Sequence, residues 1–206
     1  EGIKNCREAG LRFQIHTTVL DWNYDEIEGL TEMAVELGAS AHHIFFLVPT
    51  GRAVSLNKHV LQPEKYEELL NRILEKQKEV AIELKPTCAP QFMRVAKQKN
   101  IKTRFRRGCI AGIAYCLINP VGDVQPCAYL DLKLGNVREK SFTDIWKNSP
   151  VLKELRKMQY SGACGVCKYK EICGGCRARA AYYHNGDYMA EDPCCIYSAK
   201  TLTSEE

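Results

Sequence analysis

The sequence predicts an α/β portion over residues 1–100, followed over residues 101–206 by a cysteine-rich lobe with little regular structure. Three observations carry this. Strand-like and helix-like segments alternate through the first hundred residues, a basic stretch at 97–108 ends the alternation, and nine of the eleven cysteines fall between Cys109 and Cys195.

Taken in order, "EGIKNCREAG" reads as the end of a helix, as though the chain were a piece of something longer. "RFQIHTTVL" (12–20) is a β-branched run of strand type. "NYDEIEGLTEMAVELGA" (23–39) sets Ile27, Leu30, Ala34, Val35 and Leu37 at helical spacing and closes on Gly38. "HHIFFLVP" (42–49) is a short apolar run bounded by Pro49 and Gly51, as in a buried strand. A long amphipathic helix follows at 62–80 with Pro63 in its first turn, then a short strand at 81–86. Strand, helix, strand, helix, strand with parallel crossovers is an α/β pattern. Three strands cannot close a barrel.

Beyond the basic stretch, "AYCLINPVGDVQPCAYL" (114–130) reads as a hairpin, with Asn119, Pro120 and Gly122 as turn residues between two apolar runs. Residues 141–158 give helical turns, with Ser141 and Asp144 at capping spacing.

Composition removes several classes of function. With 45% hydrophobic and 26% charged residues and no apolar run of spanning length, nothing in the sequence suggests a membrane helix. The net charge of +4, from 29 basic against 25 acidic residues, gives no reason to expect nucleic acid. An odd cysteine count in a chain of 206 residues fits a reducing compartment and metal ligation better than a disulfide scaffold.

The densest stretch is "CGVCKYKEICGGC" (164–176), spaced C-x2-C-x5-C-x2-C. Thiolates are soft ligands that select zinc, copper(I) or iron-sulfur clusters, and short loops let several sulfurs converge. Cys109, Cys116 and Cys127 lie upstream and the doublet Cys194-Cys195 downstream. Counting one of the doublet makes eight, which two zinc ions or two 4Fe-4S clusters would satisfy equally.

The arrangement as a whole has a family likeness. Cys109, twelve residues, Gly122-x4-Cys127, a gap, Cys164-x2-Cys167-x5-Cys173, "GGC" ending at Cys176, and a last cysteine together resemble the SPASM domain. This is the auxiliary-cluster module of many radical S-adenosylmethionine (SAM) enzymes. "LGNVREKSFTDIW" (134–146) resembles the family's linking segment; two residues instead of the frequent three separate Cys173 from Cys176. "FQIHTTVLDWN" and "IFFLVPTGRA" look like the fifth and sixth strands of a radical SAM partial (β/α)6 barrel, so the resemblance implies its C-terminal half. The C-x3-C-x2-C motif of the SAM-cleaving cluster occurs nowhere in the chain. On that ground this chain alone is expected to be inactive. "GGCRARAAYYHNGDYMAEDPCC" (174–195) is similar to the ending of the radical SAM proteins of heme d1 and alternative siroheme-dependent heme biosynthesis, and maturases of tungsten and peptide cofactors share much of it.

The resemblance implies oxidoreductase or decarboxylase chemistry on tetrapyrrole propionates, SAM in the whole protein, one or two auxiliary 4Fe-4S clusters, an electron donor such as ferredoxin or flavodoxin, and a cytoplasmic location. By the same analogy Cys109, Cys116, Cys127 and Cys176 hold one cluster. Cys164, Cys167, Cys173 and either Cys194 or Cys195 hold the other. Thr17, Asn23 and Arg52 stand at strand ends where SAM or substrate would bind. Arg104, Arg106 and Arg107 belong either to a solvated linker or to a clamp on substrate carboxylates. Arg177 and Arg179 would tune a cluster or lie on a helix surface. His42 and His43 read as structural, and Cys6 and Cys88 as small apolar residues. A zinc-binding interaction module is the expectation of a different class.

Overall fold

In the computed structural model, which describes residues 1–198, a short helix α1 (Gly2–Glu8) precedes three parallel strands: β1 (Gln14–Val19), β2 (Ala41–Phe46) and β3 (Glu83–Thr87). They form one sheet in the order β1-β2-β3. Parallel neighbours need long crossovers, and α2 (Ile27–Glu36) and α3 (Pro63–Lys76) supply them. Where the spacing predicted a helix from residue 23, Tyr24–Glu26 is a tight 3-10 turn, and Gly38 ends the helical run with a left-handed φ of 77°. Another 3-10 stretch, Gly51–His59, carries no buried residue, so it lacks the periodic apolar signal that would have announced it.

Alternation along the strands sorts the side chains onto two faces. Toward the helices, Ile44 and Phe46 pack with Ile27, Leu69, Leu70 and Ile73 in the main core. Register puts His16 beside His43 and His43 beside Lys85 on the opposite face, along with Thr18, Phe45 and Thr87. That face keeps partial exposure throughout. The His16 and His43 rings stack at 5.0 Å with 7° between planes.

Helix α4 (Phe92–Gln98) is absent from the sequence expectation, because its amphipathicity hides behind a buried charge: Arg94, 1% exposed, is bonded by Glu67 and Gln98. Beyond it lies a small antiparallel sheet of β4 (Leu117–Ile118), β5 (Asp123–Gln125) and β6 (Gly135–Asn136). Its hairpin turns at the expected residues, with the Asn119 carboxamide oxygen accepting from the amides of Val121 and Asp123. The single helical run expected at 141–158 is two helices, α5 (Phe142–Asn148) and α6 (Pro150–Lys157). Ser149 precedes Pro150 and takes the extended ψ of 125° that the proline ring imposes. Ser141 caps α5 as expected, its Oγ accepting from the Asp144 amide. The short α7 (Gly162–Val166) and α8 (Arg177–Tyr183) complete the fold.

Two features join the lobe to the sheet portion. Cys194, 1% exposed, lies within the same core as Val19, Ile44 and Leu70, with Ile172 packed against it. An ion pair between Arg179 and Asp192, both 0% exposed, forms the second junction. Arg179 also donates to the Tyr66 hydroxyl and the Leu47 and Cys88 carbonyls. Asp192 accepts from Gln91 and from the Cys176 and Cys194 amides. Residues of both portions thus satisfy one buried polar network.

Candidate metal centre

The "CGVC" and "GGC" segments fold back on one another because Gly174 and Gly175 both take left-handed backbone, with φ of 78° and 58°. A side chain at Gly175 would run into the Arg177 guanidinium and reach within 3.1 Å of Cys164 Sγ. The turn leaves Cys164, Cys167, Cys173 and Cys195 lining one recess, with Lys170 at its wall. The doublet is thereby divided, with Cys195 facing the recess and Cys194 turned into the core.

Backbone amides point at these sulfurs. Asp192 N lies 3.4 Å from Cys164 Sγ, Tyr169 N 3.4 Å from Cys167 Sγ and Tyr129 N 3.2 Å from Cys127 Sγ. Arg177, 1% exposed, reaches Cys164 Sγ at 3.6 Å while its guanidinium sits 4.3 Å from the centre of the Tyr160 ring. Every cysteine is a free thiol. Burial pushes the Cys195 thiol up to about 11 and the Cys176 thiol up to about 12, so metal must displace protons to bind there. Among the described residues, no three His, Cys, Asp or Glu side chains converge tightly enough for a lone metal ion. A thiol-lined recess with amide donors has the soft ligands and outer-shell hydrogen bonds that an iron-sulfur cluster takes.

The second expected set divides as well. Cys127 and Cys176 share a packing cluster, and the Cys109 thiol is near enough to each to raise its pKa alongside the larger effect of burial. Cys116 lies outside that packing cluster, and burial raises its thiol. Cys88, read from sequence as filler, packs with Cys127 and Cys176 instead. No spacing rule could have found it, since it comes from the end of β3, outside the cysteine-rich segment.

The expected SAM and substrate contacts fare unevenly. Thr17 lies on the helix-facing side of β1, bonded through Oγ1 to His42 Nε2 at 2.9 Å, with Thr31 on the other ring nitrogen at 2.9 Å. Asn23 is occupied by the backbone of Leu20 and Thr18. Arg52 is exposed. His42 is structural as expected, and burial, with smaller contributions from His43 and His16, lowers its pKa to about 4. His43 instead faces the open side of the sheet. The three arginines do not form one clamp. Arg104 pairs with Glu83 at the start of β3, Arg106 is exposed, and Arg107 is spent inside the lobe on the Cys109 and Glu171 carbonyls and the Tyr160 hydroxyl. Arg179 is not helix surface; it is the buried junction.

The profile of the SPASM family, an iron-sulfur cluster-binding domain, matches residues 109–177. The AdoMet-dependent heme synthase of Methanosarcina barkeri is 44% identical over 95% of this chain and 59% of its own length. The mycofactocin maturase MftC of Mycobacterium ulcerans is 39% identical over 47% of this chain and 28% of its own. The crystal structure of Streptococcus suis SuiB bound to S-adenosylmethionine superposes on 94% of this chain and 47% of that one with a TM-score of 0.63 at 18% identity, a likeness of fold. This chain spans about three-fifths of the length of the heme synthases it matches. The chain thus carries a match to the SPASM iron-sulfur cluster-binding domain over residues 109–177, preceded by a parallel β/α portion similar in fold to that of SuiB, and along 95% of its length it is similar to an AdoMet-dependent heme synthase.

Proposed function

We propose that this chain is the cluster-bearing portion of a cytoplasmic radical SAM enzyme of heme biosynthesis that acts on propionate side chains of a tetrapyrrole. The observation that carries the reading is the recess lined by Cys164, Cys167, Cys173 and Cys195, in a chain 44% identical to an AdoMet-dependent heme synthase. These four thiols would hold one iron-sulfur cluster; Cys109, Cys127 and Cys176 would contribute to a second. A bound cluster supplies one-electron transfer at its site.

The chain's own residues set the conditions for that transfer. Arg177 puts a positive charge beside Cys164, and the amides of Asp192 and Tyr169 donate toward sulfur; both effects favour the more negative, reduced state. The open sheet face offers His16, His43 and Lys85 to a carboxylate-bearing ligand. Val166, 91% exposed between Cys164 and Cys167 and close to Lys168 and Lys170, offers an acidic ferredoxin or flavodoxin a docking point near the recess. Without a C-x3-C-x2-C motif, the chain alone should cleave no SAM.

Anaerobic reconstitution followed by iron and sulfide analysis tests the cluster, and titration with iron-coproporphyrin tests the substrate class. Zinc uptake to the exclusion of iron would favour an interaction module. A second reading, maturation of a peptide cofactor, draws on the similarity to MftC and to a PqqA peptide cyclase. Stoichiometric iron with no porphyrin affinity would favour that reading.

A further inference from the structure

We propose that Cys88 is the fourth sulfur ligand of the set formed by Cys109, Cys127 and Cys176, in the place that the resemblance gives to Cys116. The inference rests on the iron-sulfur reading above and adds a ligand from the sheet portion.

The first observation is packing. Cys88, Cys127 and Cys176 lie in one cluster around Val48, Leu130 and Ala178. Cys109 is brought to the same place by its neighbour: Gly108 runs so close to Pro90 that an added Cβ would stand 2.5 Å from the Pro90 carbonyl oxygen.

Register argues against Cys116. Leu117 pairs with Gln125 and Ile118 with Val124, so continuing the ladder sets Cys116 opposite Pro126 and Tyr115 opposite Cys127. Alternation then turns Cys116 to the face of the hairpin away from Cys127.

The backbone at Cys88 is the third observation. Its φ of 57° is left-handed, a conformation that suits glycine or asparagine and that a cysteine seldom adopts. The Tyr66 hydroxyl at 3.2 Å and Arg179 Nη1 at 3.1 Å hold its carbonyl there. An unfavourable residue kept in a fixed pose points to a use for its side chain. On ligation the thiol would release its proton to solvent as the Fe–S bond forms, with no change in the oxidation state of sulfur. Cys88 follows directly on β3, so the cluster would be tied to the C-terminal edge of the parallel sheet, where ligands of such sheets bind.

The test uses the 206-residue chain with Cys164, Cys167 and Cys195 replaced by Ala, which removes three of the four recess ligands and leaves the second set intact. Reconstituted anaerobically, this background should retain iron, sulfide and the EPR signal of a reduced cluster. Adding Cys88→Gly removes the thiol while relieving the left-handed backbone, so the metal-free protein should melt no lower; yet it should lose iron or change its EPR spectrum. Cys116→Ala should leave both as in the background. If the unmodified chain takes up no iron, the iron-sulfur reading itself falls. Should the unmodified chain load while the background does not, or should Cys88→Gly keep the background's iron and spectrum, the assignment of Cys88 is overturned.

Discussion

Asp192→Asn should destabilise this protein more than its size suggests, because it removes a charge and leaves the shape. In the folded state Arg179 is 0% exposed and makes two bonds of 2.8 Å to the Asp192 carboxylate. With a neutral amide there, the guanidinium stays buried without its counter-ion, a situation that costs about 3–5 kcal/mol. The Gln91 side chain and the Cys176 and Cys194 amides keep an acceptor only if the new amide turns its oxygen toward them. Against a domain stability of about 5–15 kcal/mol, this is a fifth or more of the total. Burial pushes the Asp192 carboxyl up, but the adjacent Arg179 charge and the bonds it accepts outweigh that and hold its pKa below the usual range. A depressed carboxylate contributes stability that is present above its unfolded pKa of about 3.9 and lost only as pH falls through its lower folded value. The variant's deficit should therefore be constant from pH 5 to pH 8. Urea unfolding of wild type, Asp192→Asn and the double variant Arg179→Met/Asp192→Leu, followed by circular dichroism under anaerobic reducing conditions, measures it. The double variant should lose less than the single one, since it leaves no lone charge. A single-variant loss under about 1 kcal/mol, or a double variant worse than the single, would refute the buried-junction argument.

Three further outcomes follow from the structure. His42 is buried and neutral with a pKa lowered from 6.5 to about 4, so the unfolded chain binds the extra proton first; stability should fall by up to about 3 kcal/mol as pH drops from 6.5 toward 4, and His42→Leu should flatten that slope in pH-dependent denaturation. Cys195→Ala should lose iron from the recess on reconstitution, whereas Cys194→Ala should keep its iron and lower only the melting temperature; iron loss at Cys194 instead would reverse the division of the doublet. Gly108→Ala puts a methyl group 2.5 Å from the Pro90 carbonyl oxygen and 2.6 Å from its Cα, an overpacking against backbone worth about 1–3 kcal/mol, and an unchanged melting temperature would show that this contact is not tight.

Much of the fold is written locally. The β-branched run at β1, the short apolar run at β2, the apolar period of α2 and α3, and Gly38 and Pro63 as stop and start signals each act through preferences within a few residues, so their order alone implies a parallel α/β sheet. The cysteine spacing likewise carries the family, because short loops between sulfurs are a local property. Which sulfurs meet is a different matter. Cys88 and Cys176 are 88 positions apart, and only the crossing of β3's end with the lobe brings them together; Cys116 and Cys127 are eleven apart, yet it is Cys127 that packs with Cys176. The same holds for charge. In the sequence Arg177 and Arg179 read either as cluster neighbours or as helix surface and nothing singles out Arg94; Glu67, the Tyr160 ring and Asp192 meet these arginines only after folding, and burial becomes tolerable once those partners are in place. Conversely, Arg104 and Arg107, three residues apart, part company because one finds Glu83 and the other the carbonyls of the lobe. Spacing along the chain determines what a residue can do locally; whether a thiol or a guanidinium has a partner depends on long-range contacts that tertiary packing alone creates.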